Sequence, residues 1–82
     1  MASYKMSVEN SSAIGAKMAQ EIVQKASEFE ADMTLRYENK EVDLKSILGI
    51  MSLAVLEGAK IEIEAKGADA KEAIEALQQM IK

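Results

Sequence analysis

Ser46 carries the side chain best placed for covalent chemistry in this 82-residue sequence. It precedes the run Ile47-Leu48-Gly49-Ile50-Met51-Ser52-Leu53, and a serine in that position reads as the cap of a short helix over Ser46–Leu53. A helix start offers unpaired N–H groups and the positive end of the dipole. A phosphate on the serine hydroxyl is therefore tolerated there, adding about two negative charges. A plain N-cap explains the same serine without any modification. The apolar residues behind it also have two readings. Ile50 and Leu53 share one helix face, which leaves Ile47, Leu48 and Met51 on the opposite side next to Ser46. If exposed, those three make a flat docking patch in which methionine adapts to different surfaces. If buried, they are simply core.

Most other chemistry is excluded by what is missing. With no histidine, the chain lacks the commonest general base, the commonest metal ligand and any phosphohistidine. With no cysteine, it has no disulfide, zinc-thiolate site or thiol nucleophile. The fourteen carboxylates fall on strand outer faces and helix polar faces, and no spacing concentrates a pair, so they read as solvated surface charge. Gly58-Ala59-Lys60 and Gly67-Ala68-Asp69 read as turns and lack the glycine spacing of a phosphate loop. A net charge of −4 argues against direct nucleic-acid binding. No apolar run approaches the roughly 18 residues of a membrane span, and no signal-peptide pattern is present. The expectation is a cytoplasmic binding protein with no enzymatic activity, no cofactor and no metal.

These residues need elements to position them. The chain has no proline and no linker-like stretch, and its length fits a single domain over residues 1–82. Ala2–Glu9 alternates, with Tyr4, Met6 and Val8 on the inner face of a half-buried strand. Asn10–Ala13 reads as a loop that ends in a helix cap. Ala16–Phe29 carries a helical stripe of Ala19, Ile22, Val23, Ala26 and Phe29. Met33, Leu35 and Tyr37 alternate, and Glu38-Asn39 makes a tight turn in which Asn39 tolerates a positive φ. Val42 and Leu44 share the face of the returning strand. Lys60–Lys66 alternates with Ile61, Ile63 and Ala65 inward. Asp69 with Glu72 resembles a capping box at the start of a final helix, whose stripe is Ala73, Ile74, Leu77, Met80 and Ile81. The order is β-α-β-β-α-β-α. Alternating strands predict an antiparallel sheet with water on one side and helices on the other, an α+β two-layer sandwich.

The segment Val42-Asp43-Leu44-Lys45-Ser46-Ile47-Leu48-Gly49-Ile50-Met51-Ser52-Leu53 resembles the regulatory-serine motif of the HPr family, with Leu48 in place of the usual methionine. Val23-Gln24-Lys25-Ala26-Ser27 and Ala65-Lys66-Gly67-Ala68-Asp69 are also similar to family segments, and the resemblance covers nearly the whole chain. It implies an HPr-like open-faced two-layer β-sandwich, a four-stranded antiparallel sheet covered on one side by three helices.

The family's second motif, Gly-Ile/Leu-His-Ala-Arg-Pro-Ala, reads here as Ala13-Ile14-Gly15-Ala16-Lys17-Met18-Ala19. Gly15 takes the phosphohistidine position, Lys17 the arginine position and Met18 the proline position. A phosphoryl relay needs a nitrogen nucleophile that yields a labile phosphoramidate, and glycine has none. A serine phosphate ester is too stable to hand on, so it serves as a signal. In character the chain is closest to the regulatory paralogue Crh, which also lacks the catalytic histidine. The resemblance implies phosphorylation of Ser46 by HPr kinase/phosphorylase. It also implies docking on a LacI-type catabolite control regulator through Lys17, Ile47, Leu48 and Met51, with the protein acting as a corepressor in carbon catabolite repression. Lysine cannot reproduce the bidentate contact of arginine, so Lys17 weakens that implied interface. Family members occur as monomers or as dimers that exchange the first strand. Two other readings stay open: an HPr-fold interaction module that docks unmodified, and a phosphocarrier that uses another residue.

Overall fold

Seven elements follow one another in the computed structural model, in the expected order. They are β1 (Ser3–Glu9), α1 (Ala16–Ala26), β2 (Asp32–Tyr37), β3 (Lys40–Asp43), α2 (Ile47–Ser52), β4 (Lys60–Lys66) and α3 (Ala70–Met80). The structure describes residues 3–9, 14–55 and 58–81. The expected loop over Asn10–Ala13 and the placing of Ala2 lie outside these, as does the side chain of Val8.

The four strands form one antiparallel sheet in the order β1-β4-β2-β3. Period-two patterning decides which side of it is buried. Met6 lies opposite Ile63, Ile63 opposite Leu35, and Ala65 opposite Met33. All five are buried, and with Ile22, Ile50, Ile74 and Leu77 of the helices they form the core. Helix α3 packs on β1 and β4, α2 meets β3, and α1 packs against both α2 and α3. Tyr4 shares the face of Met6 but lies exposed on the edge strand.

The opposite face of the sheet is polar. Lys5 lies opposite Glu64, Glu64 opposite Thr34, and Thr34 opposite Asp43. Arg36 sits between Glu62 and Glu41 and makes a 2.9 Å ion pair with Glu41. The hydrogen bond and charge of Glu41 raise the Arg36 pKa. Cross-strand pairs of opposite sign suit a sheet face that no helix covers.

Several boundaries differ from the sequence expectation. Helix α1 ends at Ala26, and Phe29 joins the core from the turn beyond it. β3 ends at Asp43, and Leu44 is buried in the following turn with its N–H on the Met33 carbonyl at 3.0 Å. In the hairpin the left-handed residue is Glu38 (φ 57°), not Asn39. The capping box at Asp69 does not form. Its carboxylate instead accepts from the N–H groups of Glu30 and Ala31, both at 2.9 Å, and so ties the α1–β2 loop to the start of α3.

Ala54 is held at φ 50°, just past the end of α2. A Cβ in that left-handed conformation is crowded by the following carbonyl, and glycine is the residue usually found after a helix end. Ala54→Gly is therefore expected to stabilise the fold by about 0.5–1 kcal/mol, after the greater freedom of glycine in the unfolded chain is set against the relieved strain. A thermal melt raised by a few degrees is the expected result, and a lowered one would show that Ala54 bears no strain.

Candidate functional site

The Ser46 region is built from the turn that leaves β3. Asp43 folds the chain back on itself: its Oδ1 accepts from the Lys45 N–H at 2.9 Å and its carbonyl from the Ser46 N–H at 3.1 Å. Buried Leu44 anchors this turn. Lys45 reaches across to donate its ammonium to the Phe29 carbonyl at 2.8 Å, beyond the end of α1. An aspartate two residues before a turn N–H is a readable local signal, whereas the reach of Lys45 to Phe29 has none in the sequence.

Ser46 then enters α2 as its N-cap, with extended backbone angles (φ −116°, ψ 113°). Its Oγ accepts from the Gly49 N–H at 3.0 Å, and its carbonyl accepts from the Ile50 N–H at 3.1 Å. The cap expected from the sequence is present. Ser52 closes the other end, donating its hydroxyl to the Gly49 carbonyl at 2.7 Å.

The short helix is two-faced. Ile50 is 1% and Leu53 5% exposed, whereas Ile47 is 39%, Leu48 81% and Met51 43% exposed. Of the two alternatives left open for these residues, burial is thus ruled out for Ile47, Leu48 and Met51. Ser46, Ile47, Leu48 and Met51 therefore present a capped hydroxyl beside bare apolar surface.

Helix α1 lies against α2, and the Ile14 N–H bonds to the Val55 carbonyl at 3.0 Å, which joins the start of α1 to the segment after α2. Gly15 is the N-cap of α1. Its backbone is ordinary (φ −94°, ψ −170°), it makes no side-chain cap bond, and a Cβ there would have nothing within 4 Å. Lys17 is exposed in the first helical turn, while Met18 is half-buried against the core. Gly15 brings no imidazole to this helix start.

Two hollows of about 270 and 240 Å³ lie along the polar sheet face, bordered by Asp32, Thr34 and Glu41, and neither is lined by Ser46 or Gly15. Among the described residues no three carboxylates, histidines or cysteines gather where they could hold a metal ion, and no helix is long and apolar enough to cross a membrane. The exposed apolar side chains beside Ser46 suit a macromolecular partner.

The comparisons agree with this architecture. Residues 2–82 match the family described as PTS HPr component phosphorylation site. The phosphocarrier protein HPr from Bacillus anthracis is 38% identical with a TM-score of 0.93, each chain covering 100% of the other. HPr from Thermoanaerobacter tengcongensis is 38% identical with a TM-score of 0.85, over 99% of this chain and 91% of that one. Crh of Bacillus subtilis, described as a catabolite repression protein with a swapping domain in its dimer, is 38% identical with a TM-score of 0.78, over 98% of this chain and 92% of that one. Element order, sheet topology and a match running from residue 2 to the last residue all lead to one assignment: this chain belongs to the HPr family.

Proposed function

We propose that the chain is a regulatory HPr-type protein, switched by phosphorylation of Ser46 and not itself an enzyme. The observation that carries this reading is the capped Ser46 hydroxyl beside the exposed Ile47, Leu48 and Met51. A phosphoserine there adds a dianion at the rim of an apolar patch. A partner with an arginine or lysine pocket gains charge-assisted hydrogen bonds at the rim and apolar burial at the centre. In this reading the modifying enzyme is HPr kinase/phosphorylase. The partner is a LacI-type catabolite control regulator, contacted by Ile47, Leu48, Met51 and Lys17, and the phosphorylated protein is its corepressor. Residues 1–82 act as one cytoplasmic domain, either a monomer or a strand-swapped dimer. Similarity to Crh supports the regulatory role and the dimer.

A phosphoryl relay is disfavoured on chemical grounds. Gly15 fills the phosphohistidine position, and the chain has no imidazole elsewhere to replace it. The same exposed patch favours a second reading, an interaction module that docks unmodified.

Incubation with HPr kinase and Mg-ATP, followed by intact-mass measurement, separates the two. The expected result is one phosphate on the wild type and none on Ser46→Ala. Equal labelling of that variant would move the site, and an unlabelled wild type would leave the unmodified module. Incubation with phosphoenolpyruvate and the first enzyme of the phosphotransferase system is expected to give no acid-labile phosphoprotein.

A further inference from the structure

Gly49 occupies the interior of a six-residue helix, a position where glycine is less favourable than alanine because folding freezes more of its freedom. Its own backbone does not demand glycine, since the positive-φ glycines are Gly58 and Gly67. Its surroundings give the reason. A Cβ at this position would stand 3.2 Å from Ser46 Oγ, 3.4 Å from Ser46 Cβ and 3.3 Å from Val42 Cβ. The backbone N–H of the same residue holds Ser46 Oγ at 3.0 Å.

We propose that Gly49 is a positioning residue for phosphoryl transfer to Ser46. Its N–H orients the hydroxyl, and its missing side chain keeps the space beside the oxygen clear. The inference rests on the reading of Ser46 as the phosphorylated residue. In the transfer, Ser46 Oγ bonds to the γ-phosphorus of ATP and the bond from that phosphorus to the β–γ bridging oxygen breaks. ADP leaves, and the hydroxyl proton passes to a base of the kinase. A hydroxyl oxygen has two lone pairs. One accepts from the Gly49 N–H, and the other must face the incoming phosphorus in line with the leaving oxygen. A methyl group at position 49 crowds that oxygen and turns the serine away from alignment. The exposed side chains of Ile47, Leu48 and Met51 stay in place, so docking of the kinase is untouched while the chemical step suffers.

The test measures initial rates of Ser46 labelling by HPr kinase and Mg-ATP over a range of acceptor concentrations. It compares the wild type with Gly49→Ala, Val42→Gly and the double variant, each below its melting transition. Gly49→Ala is expected to lower kcat by roughly 3–10-fold with KM unchanged, because the tight contact shifts the oxygen by a fraction of the ångström that costs about 100-fold. The double variant is expected to stay slow, because removing the Val42 Cβ leaves the contact with Ser46 Oγ. Wild-type kcat in Gly49→Ala, or recovery in the double variant, would overturn the proposal, recovery by assigning the effect to packing against Val42. An unlabelled wild type would overturn both this proposal and the Ser46 reading beneath it, and it is recognised without any substitution.

Discussion

Gly67→Ala is expected to lower the melting temperature by roughly 8–32 °C, taking about 4–8 °C for each kcal/mol in a domain of this size. Gly67 is buried at the end of β4 with φ 148°, a conformation that L-residues rarely adopt. An added Cβ would also meet the Ala31 Cα at 3.0 Å and the Ala31 Cβ at 3.3 Å. The contact is with backbone, which cannot swing aside as a side chain does. The loop is pinned as well, because Asp69 accepts from the N–H groups of both Glu30 and Ala31. Backbone strain and overpacking together cost about 2–4 kcal/mol. Circular dichroism melts give the value. A loss below about 0.5 kcal/mol, the range of an ordinary surface substitution, would show that the loop yields freely. Asp69→Ala frees the same loop, so the two substitutions together should cost less than the sum of their separate effects, as coupled neighbours do.

The second large effect separates the two faces of α2. Ile50→Ala empties a fully buried site and is expected to cost about 2–5 kcal/mol. Ile47→Ala and Met51→Ala, on exposed positions, should cost about 0.5 kcal/mol or less. Partner affinity is expected to show the reverse order, because an apolar side chain desolvated by a partner contributes about 1–3 kcal/mol. Urea melts and titration of the phosphorylated protein against a LacI-type regulator measure the two quantities. Comparable destabilisation by Ile47→Ala and Ile50→Ala would place the patch in the core and remove the docking surface.

The features that were legible in the sequence are local and periodic. Ile61, Ile63 and Ala65 alternate with Glu62, Glu64 and Lys66, and that pattern alone assigns the buried face of β4. The serine before an apolar run marked the start of α2, and the i, i+3 relation of Ile50 and Leu53 marked its inner side. Where the reading erred, tertiary partners outweighed local preference. Phe29 continues the helical stripe of α1 but reaches the core from a turn. Asp69 matches a cap pattern, yet two backbone N–H groups from 38 and 39 residues away claim its carboxylate. The approach of Gly67 to Ala31, the reach of Lys45 to Phe29 and the crowding between positions 49 and 46 depend on coordinates that no spacing rule supplies. At the site, the serine and its exposed apolar neighbours were readable, but the glycine that leaves the hydroxyl room was not.

Strand order carries a kinetic consequence. β4 lies at the centre of the sheet, between β1 and β2, although it is the last strand to be made. The hairpin of β2 and β3 can close as soon as it emerges from the ribosome, since its partners are near neighbours in sequence. β1 has no such neighbour, because every residue from Ser3 to Glu9 pairs with Lys60–Lys66. Translation at about 5–20 residues per second leaves the roughly fifty residues between them to be synthesised over roughly 3–10 s. During that interval the row of N–H and C=O groups along β1 has no partner strand of its own chain, and Lys5 is the type of side chain that discourages pairing with other edges.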